Sequence, residues 1–240
     1  MGDERSGPMK IAVLIPCHNE ESTIIPLLER VAQQSVPGVE FETIVIDDGS
    51  MDRTIALLEA HPHLYTHLVR QPRNGGKGAA VKAGLGKASG DYVLFQDADL
   101  EYDPADYVKL MDPILRFEAD LVMGSRLLAP TYTRVYYYWH KVGNRFLTLV
   151  FNVLNNSTFT DIYTCYLVYR RTLLEPADLK SEGWEQHAEI LSRVWAKAKA
   201  CYEVPINYHG RTYGEGKKIR AHHAFAVLAM IVRARFMRYV

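Results

Sequence analysis

Three carboxylates stand at alternate positions in Phe95-Gln96-Asp97-Ala98-Asp99-Leu100-Glu101, directly after the apolar run 92–95. Asp97 and Asp99, spaced i and i+2 where a strand emerges, can both reach a hard divalent cation that also binds a diphosphate, and Glu101 extends the pattern. Acidic triplets are common as solvated turns; the position after a buried strand is what favours a site for Mg²⁺ or Mn²⁺. A second acidic turn, Asp47-Asp48-Gly49-Ser50-Met51-Asp52, follows the run 41–46. Its adjacent carboxylates suit hydrogen bonds to a nucleobase or ribose, Gly49 permits a tight turn, and Ser50 and Asp52 are explained as helix caps. The first apolar run also ends in polar groups, Pro16-Cys17-His18-Asn19-Glu20-Glu21. Asn19 as a cap, with Glu20 and Glu21 in the first helical turn, would account for that cluster alone. Three polar clusters at strand ends on one side of a sheet point instead to a shared site.

The elements that must position these groups alternate along the chain. Runs 11–15, 41–46, 92–95 and 121–123 are short, rich in Val, Ile and aromatics, and bounded by turn or acidic residues, as buried parallel strands are. Between them Ile24, Leu27, Leu28 and Val31 recur at helical spacing, as do Ile55, Leu57 and Leu58, and helical stretches over 79–88 and 104–117 complete the set. This predicts an α/β fold with a Rossmann-like, mostly parallel central sheet flanked by helices, whose ligands sit at the carboxyl ends of the strands. Further on come an aromatic helix over 136–154, a strand-like 162–169, a helix near 185–197, a short strand near 202–204 and a closing helix over 219–240. The stretch Arg73-Asn74-Gly75-Gly76-Lys77-Gly78 is not a P-loop, because Gly78 stands where Ser or Thr should follow the lysine and no glycine lies five residues before Gly76. It can still set backbone amides and Lys77 at a helix start beside a phosphate.

The 240 residues hold 28 Lys+Arg against 28 Asp+Glu and are 48% hydrophobic, which excludes a disordered chain and a nucleic-acid binder driven by bulk positive charge. The zero is a cancellation. Residues 1–130 carry 12 basic and 20 acidic side chains, residues 131–240 carry 16 basic and 8 acidic. One half suits cations and sugar hydroxyls, the other an anionic acceptor and an anionic membrane face. Three widely spaced cysteines, Cys17, Cys165 and Cys201, suggest neither a disulfide framework nor a zinc site and fit a reducing compartment. Near the C-terminus the longest run without charge or histidine is nine residues, 224–232, about half of what a spanning helix needs. The expected location is cytoplasmic.

In chain order, Pro16-x-x-Asn19-Glu20, Asp47-Asp48-Gly49-Ser50-x-Asp52-x-Thr54, Asn74-x-Gly76-x-Gly78 and Asp97-x-Asp99 resemble the motifs of family 2 glycosyltransferases over residues 9–125. The resemblance implies a GT-A fold. It assigns Pro16, Asn19, Glu20, Asp47, Asp48, Lys77 and Asp97-Ala98-Asp99 to the nucleotide-sugar pocket, with Asp99 and Glu101 as metal ligands and Asp97 as a ribose or metal contact. In the second half, Gly124-Ser125-Arg126, Gly143-Asn144-Arg145, Thr160-Asp161-x-x-Thr164-Cys165-Tyr166 and His209-Gly210-Arg211-x-x-Gly214-x-x-Lys217 are similar to the pattern of dolichyl- or polyprenyl-phosphate hexose (mannose or glucose) synthases. Those enzymes move a sugar from a GDP- or UDP-sugar to a lipid phosphate with inversion. The resemblance implies that Arg126, Arg145 and Arg211 clamp the acceptor phosphate and donor diphosphate, a task that suits bidentate guanidinium.

The chain departs from that pattern at Gly216, where Ser usually precedes the lysine, and in having no transmembrane module of the kind many relatives append. Contact with the inner face of a membrane is then expected to be peripheral, through the helix over 136–154, which is apolar on several sides; a fully buried core helix would explain that composition equally. The implied division is a loose leader or expression remnant at 1–8, a catalytic domain at 9–218 with its nucleotide-sugar half at 9–125 and acceptor half at 126–218, and an amphipathic, membrane-associating helix at 219–240. The implied reaction is a metal-assisted in-line displacement at the anomeric carbon, with Arg211 and Lys217 assisting the departing diphosphate.

A phosphate monoester acceptor, with a second pKa of about 6, is largely ionised at neutral pH and needs no strong base. A hydroxyl acceptor would need one, and Asp161 is the candidate; a capping role explains it equally. A sugar nucleotidyltransferase on a similar sheet would carry a Gly-rich basic loop after the first strand, where this chain has Pro16-Cys17-His18-Asn19-Glu20. A non-catalytic nucleotide-sugar-binding subunit would have no need of intact Asp97, Asp99 and Glu101. The donor's base and sugar stay open at this level, as does oligomeric state, since apolar helices can pair subunits as well as touch lipid.

Overall fold

The computed structural model describes residues 7–129, 134, 138–211 and 223–236. Strand β1 (Met9–Cys17) runs through the core, parallel to β2 (Val39–Asp47) on one side and to β4 (Tyr92–Phe95) on the other. Residues 11–15 are fully buried, so both faces of β1 are covered, which is why it reads as an unbroken apolar run. With β3 (His67–Arg70), β5 (Leu121–Ser125), β6 (Leu167–Arg170) and β7 (Cys201–Pro205), the sheet order is β3-β2-β1-β4-β6-β5-β7. Among the described strands only β6 opposes its neighbours, pairing antiparallel with β4 and β5. Chain connections leave β1 toward β2 on one flank and reach β4 on the other, and such a switch point opens a crevice at the strands' carboxyl ends.

The helices are α1 (Ile24–Ala32), α2 (Thr54–Ala60), α3 (Lys77–Leu85), α4 (Tyr107–Phe117), α5 (Tyr138–Asn155), α6 (Gln186–Trp195) and α7 (His223–Phe236). The stripe Ile24, Leu27, Leu28 and Val31 is the buried face of α1, as the periodicity predicts. Strand β3 was not expected from the sequence: it lies at the sheet edge with only Leu68 and Val69 apolar, too short a run to stand out. The strand expected over 162–169 begins only at Leu167. Ahead of it side chains capture amides that a ladder would have used, Thr148 Oγ1 accepting from Ile162 N at 3.3 Å and Tyr102 Oη from Cys165 N at 3.1 Å. Helix α7 packs against α5 and α6 and so belongs to the body of the fold. The leader expected at 1–8 lies outside the described residues except for 7 and 8, and the closing helix is described over 223–236 of the expected 219–240.

Candidate active site

The carboxyl ends of β1, β2 and β4 open into a cavity of about 570 Å³. Pro16 lines it without harm to the sheet: Leu14 turns its carbonyl to Gln96 on the β4 side, and Pro16 turns its missing N–H the same way, past the last residue paired with β4. Asp48 accepts the Gly75 and Gly76 N–H groups at 2.9 and 3.0 Å, so the end of β2 fixes the Gly-rich turn that opens α3. Glu20 lines the cavity from the end of β1, its carboxylate accepting from the Thr23 hydroxyl at 2.8 Å.

Two expected pocket residues face elsewhere. Asp47 is buried and turns onto its own loop, accepting Ser50 N–H at 3.3 Å, and it does not line the cavity. Asn19, at φ +54° and also off the cavity, ties two strand ends together: its Oδ1 accepts Met51 N–H at 2.8 Å and its own N–H donates to Ser50 Oγ at 3.0 Å. Ser50 is thus occupied between loops rather than capping a helix, whereas Asp52 does hold the start of α2, accepting Thr54 N–H at 2.9 Å.

The acidic triplet past β4 reaches the cavity with all three carboxylates and Ala98 between the first two. Asp97 meets Lys77 Nζ at 2.5 Å. Burial works against both charges, and their mutual attraction outweighs it, holding Asp97 below and Lys77 above the usual range. Asp99 meets Arg211 Nη2 at 2.9 Å, while Glu101 accepts from Tyr208 Oη at 2.6 Å and from Arg211 N–H at 2.7 Å. The Arg211 guanidinium also lies 3.7 Å from Glu20, at the centre of three carboxylates. Even so, burial together with the charges of Asp97 and Glu101 pushes the Asp99 carboxyl up to about 7. No group of three His, Cys, Asp or Glu side chains is preassembled as a metal cluster among the described residues. The donor set is nevertheless all hard oxygen, and Asp99 sits where negative charge exceeds what Arg211 offsets, so the residues present fit a divalent cation.

Across the cavity, Arg126 follows the end of β5 and forms a two-pronged pair with Asp161, Nε to Oδ2 at 2.7 Å and Nη2 to Oδ1 at 2.9 Å. Asp161 is 0% exposed. Burial alone would raise its pKa, but the Arg126 charge and hydrogen bonds hold it below the usual carboxylate range. The Arg126 guanidinium also lies over the Tyr208 ring at 5.0 Å, which joins it through the Tyr208 hydroxyl to Glu101. Arg145 is not brought to the cavity: Gly143 and Asn144 line it, and the next position on α5 is exposed. Lys217 lies outside the described residues.

Sequence reasoning missed Tyr163, Trp184, Gln186, His187 and Tyr208, all of which line the cavity. Lys77 Nζ lies over the Trp184 ring at 5.4 Å. Their only signal is aromatic and polar residue type, Tyr163 ahead of β6, Trp184, Gln186 and His187 at the start of α6 and Tyr208 after β7.

The family model described as glycosyl transferase family 2 matches residues 12–176. The low-salt glycan biosynthesis hexosyltransferase of Haloferax volcanii is 30% identical over 84% of this chain and 48% of its own length. The dolichol-phosphate mannosyltransferase of Pyrococcus furiosus is 27% identical over 87% of this chain and 59% of its own. The chain therefore spans about half to three fifths of these relatives. Among solved structures, glucosyl-3-phosphoglycerate synthase of Mycobacterium tuberculosis, in complex with Mn²⁺, uridine diphosphate and phosphoglyceric acid, superposes with a TM-score of 0.71 at 22% identity, covering 95% of this chain and 79% of that one. The sheet and its flanking helices are those of GT-A glycosyltransferases. The motifs, the architecture and the match over residues 12–176 agree, and the chain belongs to family 2 of the glycosyltransferases.

Proposed function

We propose that this chain transfers a hexose from a UDP- or GDP-sugar to a polyprenyl-phosphate-type lipid, inverting the anomeric carbon. The observation that carries the reading is one cavity with acidic strand ends on one wall and Arg126 on the other, flanked by helices with outward apolar faces. Trp139, Phe146, Leu149 and Val153 on α5, with Phe225 and Phe236 on α7, are exposed. Such a surface suits peripheral contact with a membrane and with a polyprenyl tail. No helix among the described residues is long and apolar enough to cross a membrane. The lipid acceptor in the name of the Pyrococcus furiosus relative supports the same reading. The division into a catalytic region at 9–218, with nucleotide-sugar and acceptor halves, and a closing helix belongs to this proposal.

In the proposed reaction an acceptor phosphate oxygen attacks the anomeric carbon. The carbon–oxygen bond to the nucleoside diphosphate breaks, and the diphosphate leaves with the electron pair. Pro16, Glu20 and Asp48 shape the nucleoside side, and Lys77 stands at the start of α3 beside the diphosphate. Asp99, with Asp97 and Glu101 beside it, would hold Mg²⁺ or Mn²⁺, which when bound neutralises charge developing on the diphosphate. Arg211 adds positive charge at the same place, and Arg126 binds the acceptor phosphate. Asp161 then orients Arg126; with both carboxylate oxygens engaged and its pKa held low, it is ill suited to take a proton from a hydroxyl acceptor.

The test is incubation of the protein with Mg²⁺ or Mn²⁺, a panel of UDP- and GDP-sugars and a short polyprenyl phosphate. Formation of the nucleoside diphosphate together with a sugar–lipid phosphodiester is the expected result. Transfer to a sugar or lipid hydroxyl, with none to the phosphate, would overturn it.

A further inference from the structure

The same cavity holds polar groups that the reading above leaves unused. Thr164 and Gln186 are 1% and 3% exposed, and both line the cavity with His187. Thr164 Oγ1, Gln186 Oε1 and His187 Nε2 are buried and have no hydrogen-bond partner among the described residues. Buried polar atoms are almost always paired, so these three neutral ones around one cavity, with Arg211 Nε as a fourth, point to a ligand that pairs them.

The chemistry of these atoms defines that ligand. In the neutral tautomer that carries its proton on Nδ1, His187 presents a lone pair at Nε2. Burial, and then the Lys77 charge, pushes the His187 pKa down to about 4, so the ring stays neutral at neutral pH. Gln186 Oε1 is a second acceptor, and the Thr164 hydroxyl donates or accepts. The Tyr163 ring stands edge-on to His187 at 6.1 Å, and Trp184 lies beneath Lys77. Neutral acceptors beside aromatic surface match a ligand with several hydroxyl donors and apolar C–H faces. The Lys and Arg side chains of the cavity among the described residues, Lys77, Arg126 and Arg211, are each already opposed by a carboxylate: Asp97, Asp161 and Asp99.

We propose that Thr164, Gln186 and His187 form the subsite that reads the hydroxyls of a neutral hexose on the donor and disfavours a uronate. The inference rests on the glycosyl-transfer reading and names the sugar class for it.

Titration calorimetry of the whole protein with UDP, GDP, UDP-glucose, UDP-galactose, GDP-mannose and UDP-glucuronate, in Mg²⁺, separates the two. Thr164→Val, Gln186→Leu and His187→Phe are expected to weaken binding of the preferred neutral nucleotide-hexose roughly tenfold each. Affinity for the matching free nucleoside diphosphate stays within about twofold, which also certifies the fold, and Thr164→Ser restores hexose binding. Hexose affinity that falls no further than nucleoside diphosphate affinity in all three variants would overturn the subsite. UDP-glucuronate bound as tightly as the neutral hexoses would overturn the neutral-sugar assignment. If wild-type protein binds neither UDP nor GDP, the glycosyl-transfer reading itself fails, and the subsite with it.

Discussion

The two walls of the cavity are held in different ways. On the wall made by β1, β2 and β4, the backbone places the carboxylates at strand ends, where main-chain amides steady them: Asp48 accepts from Gly75 and Gly76 and, just off the cavity, Asp52 accepts from Thr54 and Asp47 from Ser50. On the opposite wall, Arg126 is held by the side chain of Asp161, 35 residues away, and side chains bridge the two walls at longer separations still, Tyr208 to Glu101 at 107 and Arg211 to Asp99 at 112. Removing a side chain from the first wall should therefore damage chemistry and spare the fold. Removal from the second should expose a buried charge and damage both.

The sharpest way to break this contrast is Arg126→Met, which strands the fully buried Asp161 carboxylate. A loss of about 3–5 kcal/mol of stability is expected from urea denaturation, and a loss below about 1 kcal/mol would erase the distinction. The double variant Arg126→Met/Asp161→Leu should recover most of it. The same pair sets an acid limit. The folded pKa of Asp161 lies below its unfolded value of about 3.9, so its contribution is fully present above that value and is lost as pH falls through the folded pKa. Urea midpoints taken from pH 7 down to 2.5 should drop in the wild type below about pH 4, with that component missing in the double variant.

On the other wall, Asp99→Asn is expected to lower the transfer rate by about a hundredfold to a thousandfold, a loss of the size seen when one preorganised electrostatic group is removed. Its melting temperature should hold steady or rise, because the change relieves repulsion among Asp97, Asp99 and Glu101. Unfolding of this variant would contradict the comparison. Tyr208→Phe tests the bridge between the walls. It deletes the 2.6 Å bond to Glu101 and keeps the ring beneath Arg126, and a loss of about 1 kcal/mol, or roughly fivefold in kcat/KM, is expected. The smallest effect belongs to Arg145→Ala. Exposed and off the cavity, Arg145 should alter KM for a detergent-dispersed lipid phosphate by less than about twofold; a tenfold rise would bring it back into the acceptor wall. Any larger effect should appear on anionic vesicles at low salt.

The same contrast explains what was legible in the sequence. Asp97, Ala98, Asp99 and Glu101 could be read because adjacency in the chain becomes adjacency at a strand end. The commitment of Asp161 to Arg126 could not, since nothing in a spacing of 35 residues says that two side chains meet. Arg145 shows the limit of motif transfer: its neighbours Gly143 and Asn144 reach the cavity, but a helix turns about 100° per residue, and the next side chain points away. Asp47 and Asn19 are polar at a strand end for the loop's own sake, a use that residue type alone does not separate from ligand binding. Gln186 and His187 looked like ordinary first-turn residues of α6, and their empty hydrogen-bonding capacity exists only in three dimensions.

The Gly-rich turn ahead of α3 has a bearing on how such a chain can diverge. Gly78 N–H donates to the Glu182 carbonyl at 2.8 Å, and a Cβ on Gly78 would come within 2.7 Å of that carbonyl carbon. The seam between the nucleotide side and the segment leading into α6 is thus backbone against backbone. The exposed side chain at 182 is free to drift through evolution, since only its main chain is used, whereas a single added methyl at 78 would wedge the seam open. A library randomised at both positions should return many residues at 182 and glycine at 78.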